Sequence, residues 1–398
     1  MKQYLLIDIG GTFIKYSLAD EQARKISGGK VPTPLTNMDD LLAAIEGFAA
    51  PLQGQFVGCA ISMPGRIDTR NGIAHTGGML SAFMWEQPFA AQVEARLGVP
   101  VTIANDGKCA AAAEGWTGAL AGVENGLVLV LGTGIGGGII LNGKVLMGAH
   151  AAAGEVSGLV SNMAAMETET FEMNKVETFS DAPLWAGAAS ATGLIREYAR
   201  QKKLSLQGPL PTGEEIFAAY NAGEPEAQKA LKIFARRVAV GILSLQHVLD
   251  VEKVAIGGGI SAAEALLPAI QAELDWLFER CTVMPAVKPE LVRCRYGNDA
   301  NLIGALKLFF EPEIHMRSLL RGRNKLLNSS RADRHVVEVE SKFCTLINHQ
   351  INKFVTCYLI DILRGVANRK AVNALILFEK LHCFNGSLVS PRATAEIV

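Results

Sequence analysis

Two stretches of this chain run an apolar strand into glycine and threonine and out into a second strand: residues 5–15, LLIDIGGTFIK, and residues 128–140, VLVLGTGIGGGII. Glycine has no Cβ, so the backbone N–H groups of such turns can come close to an anion. The pair Asn105-Asp106 lies between the two stretches. Two anion cradles flanking a carboxylate point to phosphoryl transfer. Their likeness, with an α/β alternation after each, points to an internally duplicated βββα-type unit and hence to two similar lobes around a cleft.

At 398 residues the chain is too long for one ordinary core. Apolar residues make up 49%, charged residues 19%, and the net charge is −1, which argues against disorder and against strong attraction to nucleic acid. The start MKQY leads straight into a strand without a leader pattern, and no apolar run reaches membrane-spanning length, so a cytoplasmic protein with no membrane partner is expected. The seven cysteines (Cys59, Cys109, Cys281, Cys294, Cys344, Cys357 and Cys383) form no CxxC pair and have no histidine at ligand spacing. Reduced thiols are expected.

The pattern predicts helices over 39–50, 88–97 and 104–120, with strands over 56–62 and 99–103, giving an N-terminal α/β lobe over 1–120. A second lobe over 121–298 restarts with the second glycine turn. The dipeptide Asn142-Gly143 signals a hairpin into a third strand from residue 144. Helices are predicted over 190–202, 212–222, 226–249 and 262–278, a strand over 253–256, and a closing helix over 299–310 within a 299–312 segment. Residues 313–398 differ in character: 13 of the 38 Lys+Arg but 7 of the 39 Asp+Glu fall there, and three of the 40 glycines. This reads as a basic tail appended to a complete domain. Its stretch 346–381 has helical amphipathicity but no chemical motif.

Asp8 sits at a strand end beside a phosphate-approaching turn, where a carboxylate is costly unless it faces a cation such as magnesium or its bound water. Five glycines in the seven residues 132–138 exceed the needs of an ordinary loop. The run is not GxxxxGK[ST], and although GxGxxG spacing occurs at 132–137, no acidic residue ends a second strand twenty residues on, which excludes the dinucleotide reading. At Asn105-Asp106 either residue is a good helix N-cap, while Asp106 at a cleft could take a proton from a sugar hydroxyl attacking a γ-phosphate. Glu155, among small apolar residues, is placed to accept two sugar hydroxyls. The turn Gly257, Gly258, Gly259 has room for the flat face of an adenine.

Together these segments resemble the ROK family of sugar kinases over residues 3–311. The resemblance implies a two-lobed α/β, actin-like ATPase (ribonuclease H-like) fold with duplicated βββαβα units. It also implies an ATP-dependent carbohydrate kinase with Asp106 as general base and Asn105 and Glu155 on the sugar. Gly65, in Ser62-Met63-Pro64-Gly65, and Gly78 resemble sugar-side loop positions. Asp8, Gly10, Gly11, Thr12, Gly132, Thr133, Gly134 and the Gly257 to Gly259 turn resemble the ATP-binding set. Mg²⁺ is expected at Asp8, directly or through water. Most members follow the glutamate with a Glu-x-Gly-His pattern and a cysteine-rich zinc loop. Here Gly158 replaces the histidine and residues 159–190 contain no cysteine, so no zinc is expected. That departure, with Gly77-Gly78 and the stretch 212–217, is similar to the β-glucoside kinases of the family, which implies 6-phosphorylation of a β-glucoside. Glucokinase, fructokinase and N-acylmannosamine kinase are the alternatives within the family, a non-catalytic sugar-sensing regulator the alternative outside the enzymes. Homodimers are common among such proteins.

Overall fold

The computed structural model describes residues 2–164, 167, 183–281 and 286–311, and the basic tail predicted over 313–398 lies outside the described residues. The chain begins β1 (Gln3–Ile9), β2 (Phe13–Asp20), β3 (Lys25–Pro32), α1 (Met38–Ala49), β4 (Cys59–Met63). A two-strand ribbon follows, β5 (Ile67–Asp68) and β6 (Ile73–Ala74), then α2 (Phe89–Leu97), β7 (Val101–Asn105) and α3 (Asp106–Thr117). The second half opens with β8 (Gly126–Leu131), β9 (Ile135–Leu141) and β10 (Lys144–Val145). It continues through α4 (Trp185–Ala189), α5 (Ala191–Lys202), α6 (Gly213–Asn221), α7 (Pro225–Leu249), β11 (Lys253–Gly257), α8 (Leu266–Arg280), β12 (Glu290–Arg293) and α9 (Ala300–Phe309).

The two five-stranded sheets have the same topology. Their orders are β3-β2-β1-β4-β7 and β10-β9-β8-β11-β12. In each, the first three strands form an antiparallel meander and the last two join in parallel. The duplicated unit expected from the two glycine turns is therefore present strand for strand. In the first sheet, Ile7 and Ile61 pack against Leu41 of α1 and Phe89 of α2. In the second, Leu129 and Ile256 pack against Phe234 of α7 and Ile270 of α8.

Helices α3 and α9 form a shared layer between the sheets. Cys109 and Ala112 of α3 join Leu306 and Phe309 of α9 against Leu6 and Ala60, while Ala110, Ala111 and Ala113 meet Val128 and Ile140. The alanine-rich composition of α3 thus answers a packing need: both sides are buried, and large side chains would hold the sheets apart. The helices cross so closely that a Cβ on Gly304 would lie 1.7 Å from the Cys109 carbonyl oxygen.

Several element ends differ from the sequence expectations. β7 continues through Asn105, so the Asn105-Asp106 pair spans the strand–helix junction with no intervening loop. The strand expected from residue 144 is two residues long. The helix expected from residue 262 starts at Leu266, after a 3₁₀ turn over Gly259–Ala262. β3 was not legible, because KISGGKVP has no buried member and carries two glycines; pairing with β2 holds it at the sheet edge. The 212–217 stretch has a local role as a capping box, in which Thr212 and Glu215 exchange hydrogen bonds at the start of α6. Among the described residues no helix is long and apolar enough to cross a membrane.

Candidate active site

A cleft of about 350 Å³ opens where the β7–α3 junction, the β8–β9 turn, the 154–157 loop and the start of α9 converge. Its walls include Gly65, Asn105, Asp106, Gly132, Thr133, Gly134, Glu155, Ser157 and Asn301. A second cavity of about 370 Å³, beside Trp185, Arg236 and Arg237, has no carboxylate in its wall.

Asn105 is the cap of α3. Its Oδ1 accepts from the Lys108 N–H at 3.1 Å, and its Nδ2 donates to the Gly65 carbonyl at 2.9 Å, tying the Pro64-Gly65 loop after β4 to the helix. Gly65 adopts φ +102°, and a Cβ there would lie 2.4 Å from the Thr76 carbonyl oxygen, so the loop depends on glycine. Gly78 (φ +57°) sits against Pro64 behind that loop, outside the cleft wall.

With Asn105 as the cap, Asp106 is left as the first helical residue with its carboxyl at the cleft. Its Oδ1 accepts from the Gly107 N–H at 2.8 Å. Burial pushes the Asp106 pKa up to about 6; the Gly107 hydrogen bond opposes the rise, the charges of Asp8 and Glu155 add to it, and Lys108 opposes it. Such a carboxyl is ionised at neutral pH yet a better proton acceptor than an ordinary aspartate.

Asp8 is buried at the end of β1. Its Oδ1 accepts from Asn301 Nδ2 at 3.0 Å and its Oδ2 is 3.7 Å from Lys15 Nζ. Burial still raises its pKa above the usual aspartate range in spite of both partners. Asp8 and Asp106 also repel each other electrostatically. A divalent cation beside Asp8 would relieve both costs, so these residues fit Mg²⁺, which commonly uses one or two carboxylates together with substrate phosphates. Among the described residues no group of three or more His, Cys, Asp or Glu side chains is arranged to hold a metal by itself.

The structure divides the glycines into two kinds. A Cβ on Gly137 would lie 2.3 Å from the Gly154 carbonyl oxygen, one on Gly138 2.4 Å from Ala111 Cβ, and one on Gly136 3.3 Å from Val130 Cβ. Gly137 and Gly138 thus serve strand–loop and helix–strand packing, while Gly136 faces Val130 on the neighbouring strand and also lines the cleft. A Cβ on Gly132 or Gly134 would meet nothing closer than 3.7 Å; their vacant side-chain space belongs to the cleft. In the first turn, Gly10 donates its N–H to the Phe13 carbonyl at 3.0 Å and closes the hairpin, leaving Gly11 and the exposed Thr12 at the tip. Gly257 packs on Cys294, and Gly258 (φ +94°) on the Leu131 carbonyl just before the second turn; at Gly259 a Cβ would meet nothing within 4 Å.

Sequence reasoning missed Lys108 and Asn301. Lys108 is wholly buried, donates from Nζ to the Ala151 carbonyl at 3.1 Å and lies 3.6 Å from Glu155 Oε1. Its signal was a lone cation in the apolar run GKCAAAA of α3. Asn301 is 293 residues from Asp8 and only the tertiary fold brings it there.

The model of the ROK family matches residues 4–311. The chain belongs to the ROK family. Among its relatives is the beta-glucoside kinase of Klebsiella pneumoniae, 30% identical over 331 residues that cover 82% of this chain and 98% of that protein. The N-acetyl-D-glucosamine kinase of Haemophilus influenzae is 27% identical over 314 residues, 77% of this chain and 99% of the relative. A solved ROK glucokinase from Streptomyces griseus, in complex with glucose and AMPPNP, superposes with a TM-score of 0.63 at 25% identity, covering 77% of this chain and 98% of that one. The chain is accordingly a ROK-family carbohydrate kinase with the actin-like ATPase fold.

Proposed function

We propose that this kinase transfers the γ-phosphoryl group of ATP to the 6-hydroxyl of a β-glucoside such as a glucose disaccharide. Asp106 accepts the hydroxyl proton as the oxygen attacks phosphorus. Glu155 and the Asn105 amide orient the sugar. The backbone of the Gly132-Thr133-Gly134 turn and the tip of the Gly10-Gly11-Thr12 turn cradle the phosphates, and the Gly257 to Gly259 turn borders the nucleotide. Asp8, steadied by Asn301, would hold Mg²⁺, which when bound neutralises phosphate charge. The remaining work is positioning: Asn105 fixes both the helix start and the Gly65 loop, so the base and the sugar-side wall share one rigid anchor.

The observation that carries the β-glucoside assignment is Gly158, one residue beyond cleft-lining Ser157, where a Cβ would meet nothing within 4 Å. A smaller residue with open space around it leaves room for an aglycone or a second sugar at O1. The beta-glucoside kinase relative supports the same reading. A second reading, a kinase for a free hexose or amino sugar, is favoured by the N-acetyl-D-glucosamine kinase relative at similar coverage. Coupled ADP release with ATP and Mg²⁺ over cellobiose, gentiobiose, salicin, glucose, fructose, N-acetylglucosamine and N-acetylmannosamine separates them. Preference for the β-glucosides supports the proposal, preference for a free sugar replaces it with the second reading, and no turnover on any sugar favours a sensor.

A further inference from the structure

Lys108 occupies a position that disfavours a cation on two counts. It is wholly buried, and as the third residue of α3 it lies in the helix's first turn, where N–H dipoles repel positive charge. Burial pulls its pKa below the usual lysine range, against the opposing pull of Glu155 and Asp106. Nothing about packing alone calls for an ammonium here, since the residues that follow it in α3, Cys109 to Ala113, are small and uncharged.

What Lys108 grips is a loop with an unusual backbone. Between β10 and Glu155 the chain passes through three left-handed residues: Gly148 (φ +77°), Ala151 (φ +58°) and Gly154 (φ +82°). Ala151 is not a glycine, so its Cβ makes this conformation a strained one. It is the Ala151 carbonyl that accepts from Lys108 Nζ at 3.1 Å, while the same ammonium faces Glu155 Oε1 at 3.6 Å. One side chain therefore bridges the helix that begins with Asp106 and both ends of the turn that presents Glu155.

We propose that Lys108 is a positioning residue that ties the Glu155 loop to the N-terminus of α3, so that the sugar-binding carboxylate and the base are held as one unit. This rests on the assignment of Asp106 as base and Glu155 as sugar ligand. A corollary follows from the charges around Asp106, which are Asp8 from β1, with Lys15 of β2 beside it, Glu155 from the loop, and Lys108 from its own helix. Lys108 is the cation among the groups acting directly on Asp106, and it keeps the base ionised at lower pH.

The test compares full-length Lys108→Met, Lys108→Gln and Asp106→Asn with the wild type, using the best substrate of the sugar panel from pH 5 to 9 together with thermal unfolding. Lys108→Met should raise the sugar KM about tenfold. It should also move the acidic limb of kcat/KM upward by about 0.5–1 pH unit, because the opposing cation is gone. Its unfolding midpoint should change little, because relief from the buried charge offsets the donor lost by the Ala151 carbonyl and the partner lost by the half-exposed Glu155. Lys108→Gln keeps a donor for Ala151 without the charge, so KM should return toward the wild-type value while the limb stays raised. If Lys108→Met does not fold, the limb and KM of Lys108→Gln decide the matter. An unmoved limb with KM within twofold, in a folded variant, overturns the proposal while Asp106→Asn remains inactive. Turnover retained by Asp106→Asn would instead overturn the assignment of the base, whatever the lysine variants do.

Discussion

Replacing Asp106 by asparagine should stabilise the protein while removing its turnover. The folded protein holds this carboxyl at about pH 6, against an ordinary aspartate value of 3.8. A carboxyl whose pKa is raised on folding destabilises the native state once pH exceeds the unfolded value. The cost grows between the two pKa values and levels off above the folded one. Integrating over that window gives at most about 3 kcal/mol at pH 8 and about 1.6 kcal/mol at pH 5. Asparagine is nearly isosteric and can still accept from the Gly107 N–H, so Asp106→Asn should recover most of that cost. For a domain of roughly 310 residues, the extent of the family match, this corresponds to a rise of about 4–5 °C in the unfolding midpoint at pH 8. The gain should shrink by about half at pH 5, where the wild-type carboxyl is already mostly protonated. Thermal and urea unfolding of both proteins at the two pH values, without nucleotide or sugar, reads the effect, and turnover with ATP and sugar should fall by about 10²–10⁴-fold. An equal gain at both pH values, or none at pH 8, would refute the argument that burial and neighbouring carboxylates raise this pKa.

Three further outcomes are expected. Wild-type kcat/KM should fall about tenfold per pH unit below about pH 6, because Asp106 must be unprotonated to act; a profile flat to pH 5 would contradict the base assignment. Gly304→Ala should cost about 3 kcal/mol or more in urea unfolding, since its Cβ would lie 1.7 Å from the Cys109 carbonyl oxygen and push α9 off α3, whereas Gly259→Ala, in open space, should leave stability unchanged. Glu114→Gln should cost about 1–3 kcal/mol. The buried Glu114 carboxylate accepts from the Arg295 and Tyr296 N–H groups at 2.9 and 3.1 Å and from the Ala119 N–H at 2.7 Å, and an amide must turn its NH₂ toward one of these donors. Unfolding midpoints of the two proteins give the difference.

The duplication, the α/β class and the position of Asn105-Asp106 were legible in the sequence. Each rests on a local rule: glycine at a close turn, apolar strands, an Asx residue at a helix start. β3 was not legible, because an exposed edge strand held by its neighbour has no apolar signature of its own. The purpose of individual glycines was also hidden. All five in 132–138 look alike in sequence, yet Gly137 and Gly138 answer to Gly154 and Ala111, while Gly132, Gly134 and Gly136 line the cleft. The strand that Gly138 belongs to and the helix that Ala111 belongs to meet only after folding.

By itself the sequence determined that two glycine turns, a capped carboxylate and a lone glutamate exist, because each is written in residues a few positions apart. Only the tertiary structure decided how they act together. Asn301 reaches Asp8 across almost the whole described chain, and Lys108 reaches Ala151 and Glu155 from another element. The Asp106 pKa near 6 depends on burial and on charges supplied by β1 and the 154–157 loop. Desolvation and Coulomb interaction act through space, so no reading along the chain contains them.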